Sequence, residues 1–126
     1  VRSSRLAISA TFEDETPKVG VPASTIEMVV STLLENSRQA GATAVNISAA
    51  ALPDRLVVTL ADNGPGVAPA DAGRVFEPFF TTRRGEGGAG LGLSIARALL
   101  AANDATLDLL PTTEGAVFEV VMPLAE

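Results

Sequence analysis

The sequence predicts an α+β domain, a two-layer sandwich in which one mixed or antiparallel sheet carries helices on one face. Two observations predict it. Several short segments alternate between apolar and other residues, and two longer segments repeat apolar residues every three or four positions. The chain has 126 residues, of which 47% are hydrophobic. This length and composition are sufficient for one core, and we expect a single domain over residues 1–126.

Six short segments are predicted to be strands. In the first, Leu6, Ile8 and Phe12 alternate with small or polar residues, which is typical of a half-buried strand. A turn at Pro53 and Asp54 joins two apolar segments into a predicted hairpin, and a second antiparallel pair closes the chain. The predicted strands are residues 5–12, 18–21, 44–52, 55–61, 106–110 and 116–122.

Two longer segments are predicted to be helices. Residues 24–41 carry an apolar stripe at helical spacing, with Ser24 or Thr25 as the N-terminal cap and Gly41 as the stop. Residues 92–103 repeat apolar residues in the same way. Between these helices and strands, the stretch from 62 to 92 has little periodicity and much Gly, Pro and Thr. A connection of this length in a compact domain is usually functional.

The composition excludes several classes of chemistry. The chain contains no cysteine and no histidine, so it has no thiol nucleophile, no imidazole base and no zinc site built from these residues. The net charge of −6 and the absence of Tyr and Trp argue against a nucleic-acid partner. No apolar run approaches the roughly 20 residues of a membrane-spanning helix, and we expect no direct contact with a membrane.

Two polar groups stand out beside apolar segments. Asp62 follows an apolar strand and precedes Gly64 and Gly66, so its carboxylate can accept a hydrogen bond from a donor such as the amino group of adenine. The alternative is a simple turn. Asn36, preceded by Glu35, lies at the edge of the apolar stripe of the first helix, where its amide oxygen suits Mg²⁺. The alternative is a boundary residue that bonds water.

The long aperiodic stretch contains two further motifs. Residues 85–92 are rich in glycine and lead into the second helix, where free N–H groups and the helix dipole suit a polyphosphate. The lack of a following Gly-Lys-Ser or Gly-Lys-Thr excludes a Walker A loop. Residues 75–82 hold three phenylalanines, which form either a cluster under the loop or the anchor of a movable lid. Arg83 and Arg84 follow, facing either phosphates or solvent.

In this order and spacing, the four motifs resemble the N, G1, F and G2 boxes of the GHKL ATP-binding superfamily. That superfamily comprises gyrases, heat-shock chaperones, histidine kinases and mismatch-repair proteins. Residues 76–82, 88–96 and 119–124 are similar to sensor histidine kinases in particular. Gyrases and mismatch-repair enzymes place a catalytic Glu where this chain has Thr32. Because threonine cannot serve as a general base, ATP hydrolysis by that route is not expected.

The resemblance implies the Bergerat ATP-binding fold and the catalytic domain of a protein-histidine kinase acting in two-component signal transduction or a phosphorelay. Such a domain binds ATP and Mg²⁺ and transfers the γ-phosphoryl group to a histidine on a helical dimerisation and phosphotransfer domain, which is absent from this chain. The chain alone is therefore not expected to phosphorylate itself. The implied partners are that domain and the receiver domain of a response regulator, and the implied location is the cytoplasm, including the cytoplasmic part of a membrane-anchored sensor.

The resemblance also assigns roles to individual residues. Asp62 would read adenine in a pocket shaped by Gly64 and Gly66, and Asn36 would hold Mg²⁺. The implied catalytic residues are Asn36, Glu35 and Arg83. The other implied nucleotide-binding residues are Gln39, Ala40, Val67, Phe79, Thr81, Thr82, Gly88, Ala89, Gly90, Leu91 and Gly92.

Three positions depart from the family pattern. Thr32 replaces the first Asn of the N box, Ala40 replaces a frequent aromatic, and Ala116 replaces a frequent Thr of the final strand. We therefore expect modest nucleotide affinity. Two alternatives stay open, namely an ATP-gated clamp of the mismatch-repair type and a degenerate domain that serves as an interaction module.

Overall fold

The computed structural model describes residues 6–12, 17–78, 80, 92–112 and 114–125. Within them, five strands and three helices follow one another along the chain. In order, they are β1 (Ala7–Phe12), α1 (Ala23–Gln39), β2 (Ala44–Ala51), β3 (Arg55–Asp62), α2 (Pro69–Ala72), α3 (Gly92–Ala101), β4 (Thr106–Leu110) and β5 (Val117–Pro123).

The strands form one five-stranded sheet in the order β1-β2-β3-β5-β4. β1 is parallel to β2, and the other three pairs are antiparallel, so the sheet is mixed. The predicted hairpin is confirmed: Val45 pairs with Asp62, and the turn is closed by the Leu52 N–H, which donates to the Arg55 carbonyl at 2.8 Å. This register brings the end of β3 next to the start of β2, where α1 also ends.

The core lies between the sheet and the two long helices. α1 contributes Val29 and Leu33, as its apolar stripe predicted, and α3 contributes Ala96 and Leu100. Along β5, buried residues alternate with partly buried ones, as expected for a strand with one covered face. The buried strand residues of the core include Val45, Leu56, Leu60, Leu107, Phe118, Val120 and Met122.

Phe76 attaches the aperiodic segment to this core. Its ring packs edge-on against Phe118 with centroids 6.3 Å apart, and the Arg97 guanidinium lies 4.3 Å from the Phe76 ring centroid. Arg97 in turn donates to Asp108 on β4 at 3.0 Å. The start of the segment is therefore fixed to both α3 and the sheet.

Two strand predictions need correction. β1 was predicted to be half-buried, but every residue in it is exposed, including Ile8 at 53% and Phe12 at 54%. Ile8 pairs with buried Val45, yet β1 is an edge strand of the sheet and has a neighbouring strand on one side only. Residues 18–21 form no strand. They contribute a single bridge between Val19 and Leu124, because the chain turns into α1 at Pro22.

The ends of α1 differ in how well they were predicted. Neither Ser24 nor Thr25 caps the helix, because it already begins at Ala23 with Pro22 as the N-cap and no side-chain cap. The carbonyl of Pro22 accepts from the next turn instead. At the other end, Gly41 follows the helix with φ of +100°, a conformation that glycine adopts without strain, and its predicted role as the stop is confirmed.

Candidate functional site

The carboxylate of Asp62, the last residue of β3, is held by three hydrogen bonds. Its Oδ1 accepts from the backbone N–H groups of Gly64 and Ala116, both at 3.0 Å. Its Oδ2 accepts from the hydroxyl of Ser37 at 2.7 Å. The backbone N–H of Asp62 also donates to the Ala116 carbonyl at 2.9 Å. Four backbone and side-chain bonds therefore fix the position and orientation of this side chain.

Ser37 was not predicted as a site residue. It continues the buried column of α1 formed by Val29 and Leu33, and only 5% of it is exposed. A hydroxyl at a buried position normally has a hydrogen-bond partner, and here the partner is Asp62. A polar residue within an otherwise apolar stripe was the signal that could have identified it.

Two glycines bring separate backbone segments into direct contact beside Asp62. A Cβ on Gly66 would lie 2.6 Å from the Gly115 carbonyl oxygen, and a Cβ on Gly115 would overlap the carbonyl oxygen of Asp62. Gly115 also has φ of +62°. The sequence identified Gly66 from its motif but missed Gly115, because a glycine in a hairpin turn gives no sign of what it contacts. Gly64, the other predicted glycine, packs against Ala42.

Asn36 precedes Ser37 on α1 and is half-buried. It lies one helical turn after Thr32, on the same face of the helix. The Thr32 methyl lies 3.1 Å from where a Cβ of Gly92 would be, and the Thr32 hydroxyl donates to the Met28 sulfur at 3.4 Å. The first residue of α3 therefore packs against the same face of α1 that carries Asn36.

Glu35 and Gln39 bond to each other on the exposed side of α1. The Glu35 carboxylate accepts from Arg38 Nε at 2.8 Å, from Arg38 Nη2, and from Gln39 Nε2 at 2.9 Å. The hydrogen bond from Arg38 lowers the pKa of Glu35 below its ordinary value, and the same bond raises the pKa of Arg38. Ala40 is the residue that follows the helix.

Asn63 makes contacts that the sequence gave no reason to expect. Its Oδ1 accepts from the backbone N–H groups of Thr43 and Ala44, both at 2.9 Å, and its Nδ2 donates to the Thr43 hydroxyl at 2.9 Å. The residue after Asp62 is thus bonded to the connection between α1 and β2.

The remaining predicted residues divide into two groups. Val67 is described, is partly buried and packs against the core. The others lie outside the described residues, and they are Phe79, Thr81, Thr82, Arg83, Gly88, Ala89, Gly90 and Leu91. In the described part of the chain, no three acidic side chains are grouped so that they could hold a metal ion. No helix in that part is long and apolar enough to cross a membrane.

Residues 22–126 match the family of histidine kinase-, DNA gyrase B- and HSP90-like ATPases, and the chain belongs to this family. Its relatives include sensor proteins, one of which is named a sensor histidine kinase. It is 29% identical over 123 residues to the alginate biosynthesis sensor protein KinB of Pseudomonas aeruginosa, a match that covers 95% of this chain and 21% of KinB. The chain thus spans about a fifth of the length of this relative.

Solved structures agree with this assignment. The catalytic domain of the histidine kinase ThkA superimposes with a TM-score of 0.82, at 22% identity, over 94% of this chain and 79% of that domain. Full-length ShkA in complex with AMPPNP superimposes with a TM-score of 0.75, at 25% identity, over 95% of this chain and 26% of ShkA. The predicted two-layer fold and the predicted likeness to histidine-kinase catalytic domains are both confirmed.

Proposed function

We propose that this domain binds ATP together with Mg²⁺ and donates the γ-phosphoryl group to a histidine on a separate helical dimerisation domain. A receiver domain of a response regulator would then take the phosphoryl group from that histidine. Membership in the family and the likeness to sensor kinases support the class of reaction. The complex of ShkA with AMPPNP supports the class of ligand. Because ATP is in the cytoplasm, the domain would act there.

The observation that carries the proposal is the arrangement around Asp62. A carboxylate has about four acceptor positions, two on each oxygen. Among the described residues, Oδ1 accepts from two N–H groups and Oδ2 accepts from the single hydroxyl of Ser37. As far as the described residues go, Oδ2 therefore has one acceptor position left, on a side chain whose orientation is fixed by hydrogen bonds. An ionised carboxylate accepts only, so it favours the amino group of adenine over the carbonyl group at the same position of guanine.

Asn36 and the start of α3 would hold the metal and the phosphates. Mg²⁺ needs few protein ligands when it is bound through phosphates, and the Asn36 amide oxygen is a suitable one. The start of α3 at Gly92, which packs beside Thr32, offers N–H groups to an anion. Bound Mg²⁺ would neutralise phosphate charge. On the family resemblance, Arg83 and residues 88–91 would also bind the phosphates.

The chemical step places few demands on this chain beyond positioning. The bond between the γ-phosphorus and its bridging oxygen breaks, a bond from the phosphorus to an imidazole nitrogen forms, and ADP leaves. The chain has no histidine, so the acceptor must belong to another domain. Thr32 bonds Met28 and packs on Gly92, and it offers no base for hydrolysis, which argues against the mismatch-repair type of clamp.

Calorimetric titration with a non-hydrolysable ATP analogue, with and without Mg²⁺, tests the proposal. We expect saturable binding that strengthens with Mg²⁺. Asp62→Asn keeps an oxygen for the two N–H donors but turns the other acceptor into a donor. It should weaken binding by roughly 10- to 100-fold. Asp54→Asn, at an exposed turn, is the matched control and should bind like the wild type.

The outcomes separate the open alternatives. Absence of binding at millimolar analogue would refute the proposal and favour an interaction module without nucleotide. Steady hydrolysis of ATP by the isolated chain would favour the clamp. Labelled phosphate transferred from ATP to an added dimerisation domain that carries a histidine, but never to this chain alone, is the result we expect.

A further inference from the structure

We propose that Asn63 is a positioning residue for base recognition, although its side chain bonds Thr43 and Ala44 and not Asp62 itself. It holds the end of β3 against the end of α1, so that the Asp62 carboxylate and the Ser37 hydroxyl meet in one fixed geometry. This inference rests on the proposed function, because it matters for binding only if Asp62 reads the base.

The contacts of Asn63 are numerous for an exposed side chain. Both acceptor positions of its Oδ1 are used by the backbone N–H groups of Thr43 and Ala44, and its Nδ2 donates to the Thr43 hydroxyl. Its own backbone N–H donates to the Ala44 carbonyl at 3.1 Å. An exposed asparagine commonly bonds water, whereas this one fastens two segments 19 and 20 residues apart in sequence.

The segment that Asn63 fastens is attached to the helix end that carries Ser37. The N–H of Ala42 donates to the Ser37 carbonyl at 3.0 Å, so residues 41–43 follow directly from that turn of α1. Gly64 packs on Ala42 from the other side. Asn63 therefore lies between Asp62, which supplies the carboxylate, and Gly64, which donates to it. Its bonds to Thr43 and Ala44 hold both residues close to the end of α1 that carries Ser37.

Loss of this side chain would let the two ends separate. At the site, the hydrogen bond between Ser37 and Asp62 joins the side chains of α1 and β3. Its length is 2.7 Å, and a hydrogen bond weakens when its donor and acceptor are displaced. A carboxylate with more freedom discriminates less between a donor and an acceptor on the base. The effect should therefore appear in the preference for adenine over guanine as well as in affinity.

Titrations of the whole chain with non-hydrolysable ATP and GTP analogues test the inference. For Asn63→Ala we expect about a tenfold loss of affinity for the ATP analogue and a smaller preference over the GTP analogue. Asn63→Asp keeps the two acceptor bonds, and the Thr43 hydroxyl can donate to its second oxygen. It should keep the wild-type preference, although its added charge lowers the affinity for both anionic ligands alike.

Asn46→Ala is the matched control. Asn46 is also exposed, and its Oδ1 accepts from Ser9 at 2.9 Å. It pairs with Ala61, next to Asp62, but its side chain lies on the opposite face of the sheet from Val45, the partner of Asp62. It should leave both affinity and preference unchanged. Thermal unfolding of each variant shows how much of the protein is folded. Partial unfolding lowers the apparent affinities for the ATP and GTP analogues by the same factor and leaves their ratio unchanged, whereas a displaced Asp62 carboxylate changes the ratio.

Several results would overturn the inference. Folded Asn63→Ala with the affinity and preference of the wild type would do so, as would an equal loss for both nucleotides. If Asn63→Ala does not fold, Thr43→Val removes one of its bonds, and an unchanged preference in that variant would contradict the inference. If the wild type binds neither analogue, the proposed function itself fails. Binding by the wild type with an unaffected Asn63→Ala refutes only the role of Asn63.

Discussion

Replacing Gly115 by alanine is expected to remove much of the stability of this domain. A Cβ at this position would overlap the carbonyl oxygen of Asp62 and lie 2.9 Å from its carbonyl carbon. One of the two backbones would have to move by roughly 1 Å to restore normal contact. That movement would disrupt both bonds between Asp62 and Ala116, one of which involves a charged acceptor.

The magnitude follows from three contributions. A backbone hydrogen bond contributes about 1 kcal/mol, and one to a charged group about 1.5–3 kcal/mol. The φ of +62° costs a residue with a side chain a further 1–2 kcal/mol or so. The expected loss in the free energy of unfolding is therefore about 3.5–6 kcal/mol. Domains are typically stable by only about 5–15 kcal/mol.

Alanine substitutions at two other glycines distinguish the cost of backbone strain from the cost of steric overlap. Urea unfolding measures the free energy of unfolding of all three variants. Gly41 has φ of +100° but open space around it, so Gly41→Ala should lose only the strain, about 1–2 kcal/mol. Gly73 has φ of −79° and open space, and Gly73→Ala should be neutral or stabilising by up to about 1 kcal/mol. If Gly115→Ala costs no more than Gly41→Ala, the argument from steric overlap is wrong.

Two further predictions concern α1. Ser37→Ala removes a buried hydroxyl that donates to Asp62. Thermal unfolding should show a loss of about 1–2 kcal/mol in the free energy of unfolding, a modest value because the half-buried carboxylate can bond water instead. An unchanged stability would mean that this hydrogen bond makes no net contribution. The lowered pKa of Glu35 means that its bond to Arg38 stabilises the fold above the ordinary pKa of 4.5 and ceases to do so as the pH falls through the depressed value. The small stability difference between wild type and Glu35→Gln should therefore be present at neutral pH and vanish in acid, and a difference that grows in acid would contradict the assignment.

Local patterns in the sequence predicted the regular elements well. The alternation on both sides of Pro53 and Asp54 identified the β2–β3 hairpin, because a half-buried strand and a tight turn each leave a local signature. The buried column of α1 was predicted from its 3.6-residue spacing. Local patterns failed where the answer depends on neighbours. The alternation in β1 is real, yet Phe12 is exposed because its strand lies at the edge of the sheet.

The site could be predicted only in part, for a related reason. Asp62 and its following glycines belong to a motif and were found from it. Ser37 and Gly115 lie outside that motif, and Asn63 lies inside it but gives no sign of its partners. Their contacts arise from the register of the sheet and the packing of α1. A sequence shows which side chain can accept a hydrogen bond, whereas the donors that orient it become visible only in three dimensions.

The hydrogen bonds of Asp62 also bear on the order in which the domain folds. They join it to Ser37, 25 residues earlier, and to Ala116, 54 residues later. Contacts this distant form only after large loops have closed, so this carboxylate acquires its partners late, when α1, β3 and the turn before β5 are all present. A partly folded chain would then have no nucleotide site, and ligand would bind only the complete native state. In that case, nucleotide would stabilise the whole domain and not only the residues that it contacts. The gain in the free energy of unfolding would grow with the logarithm of the nucleotide concentration.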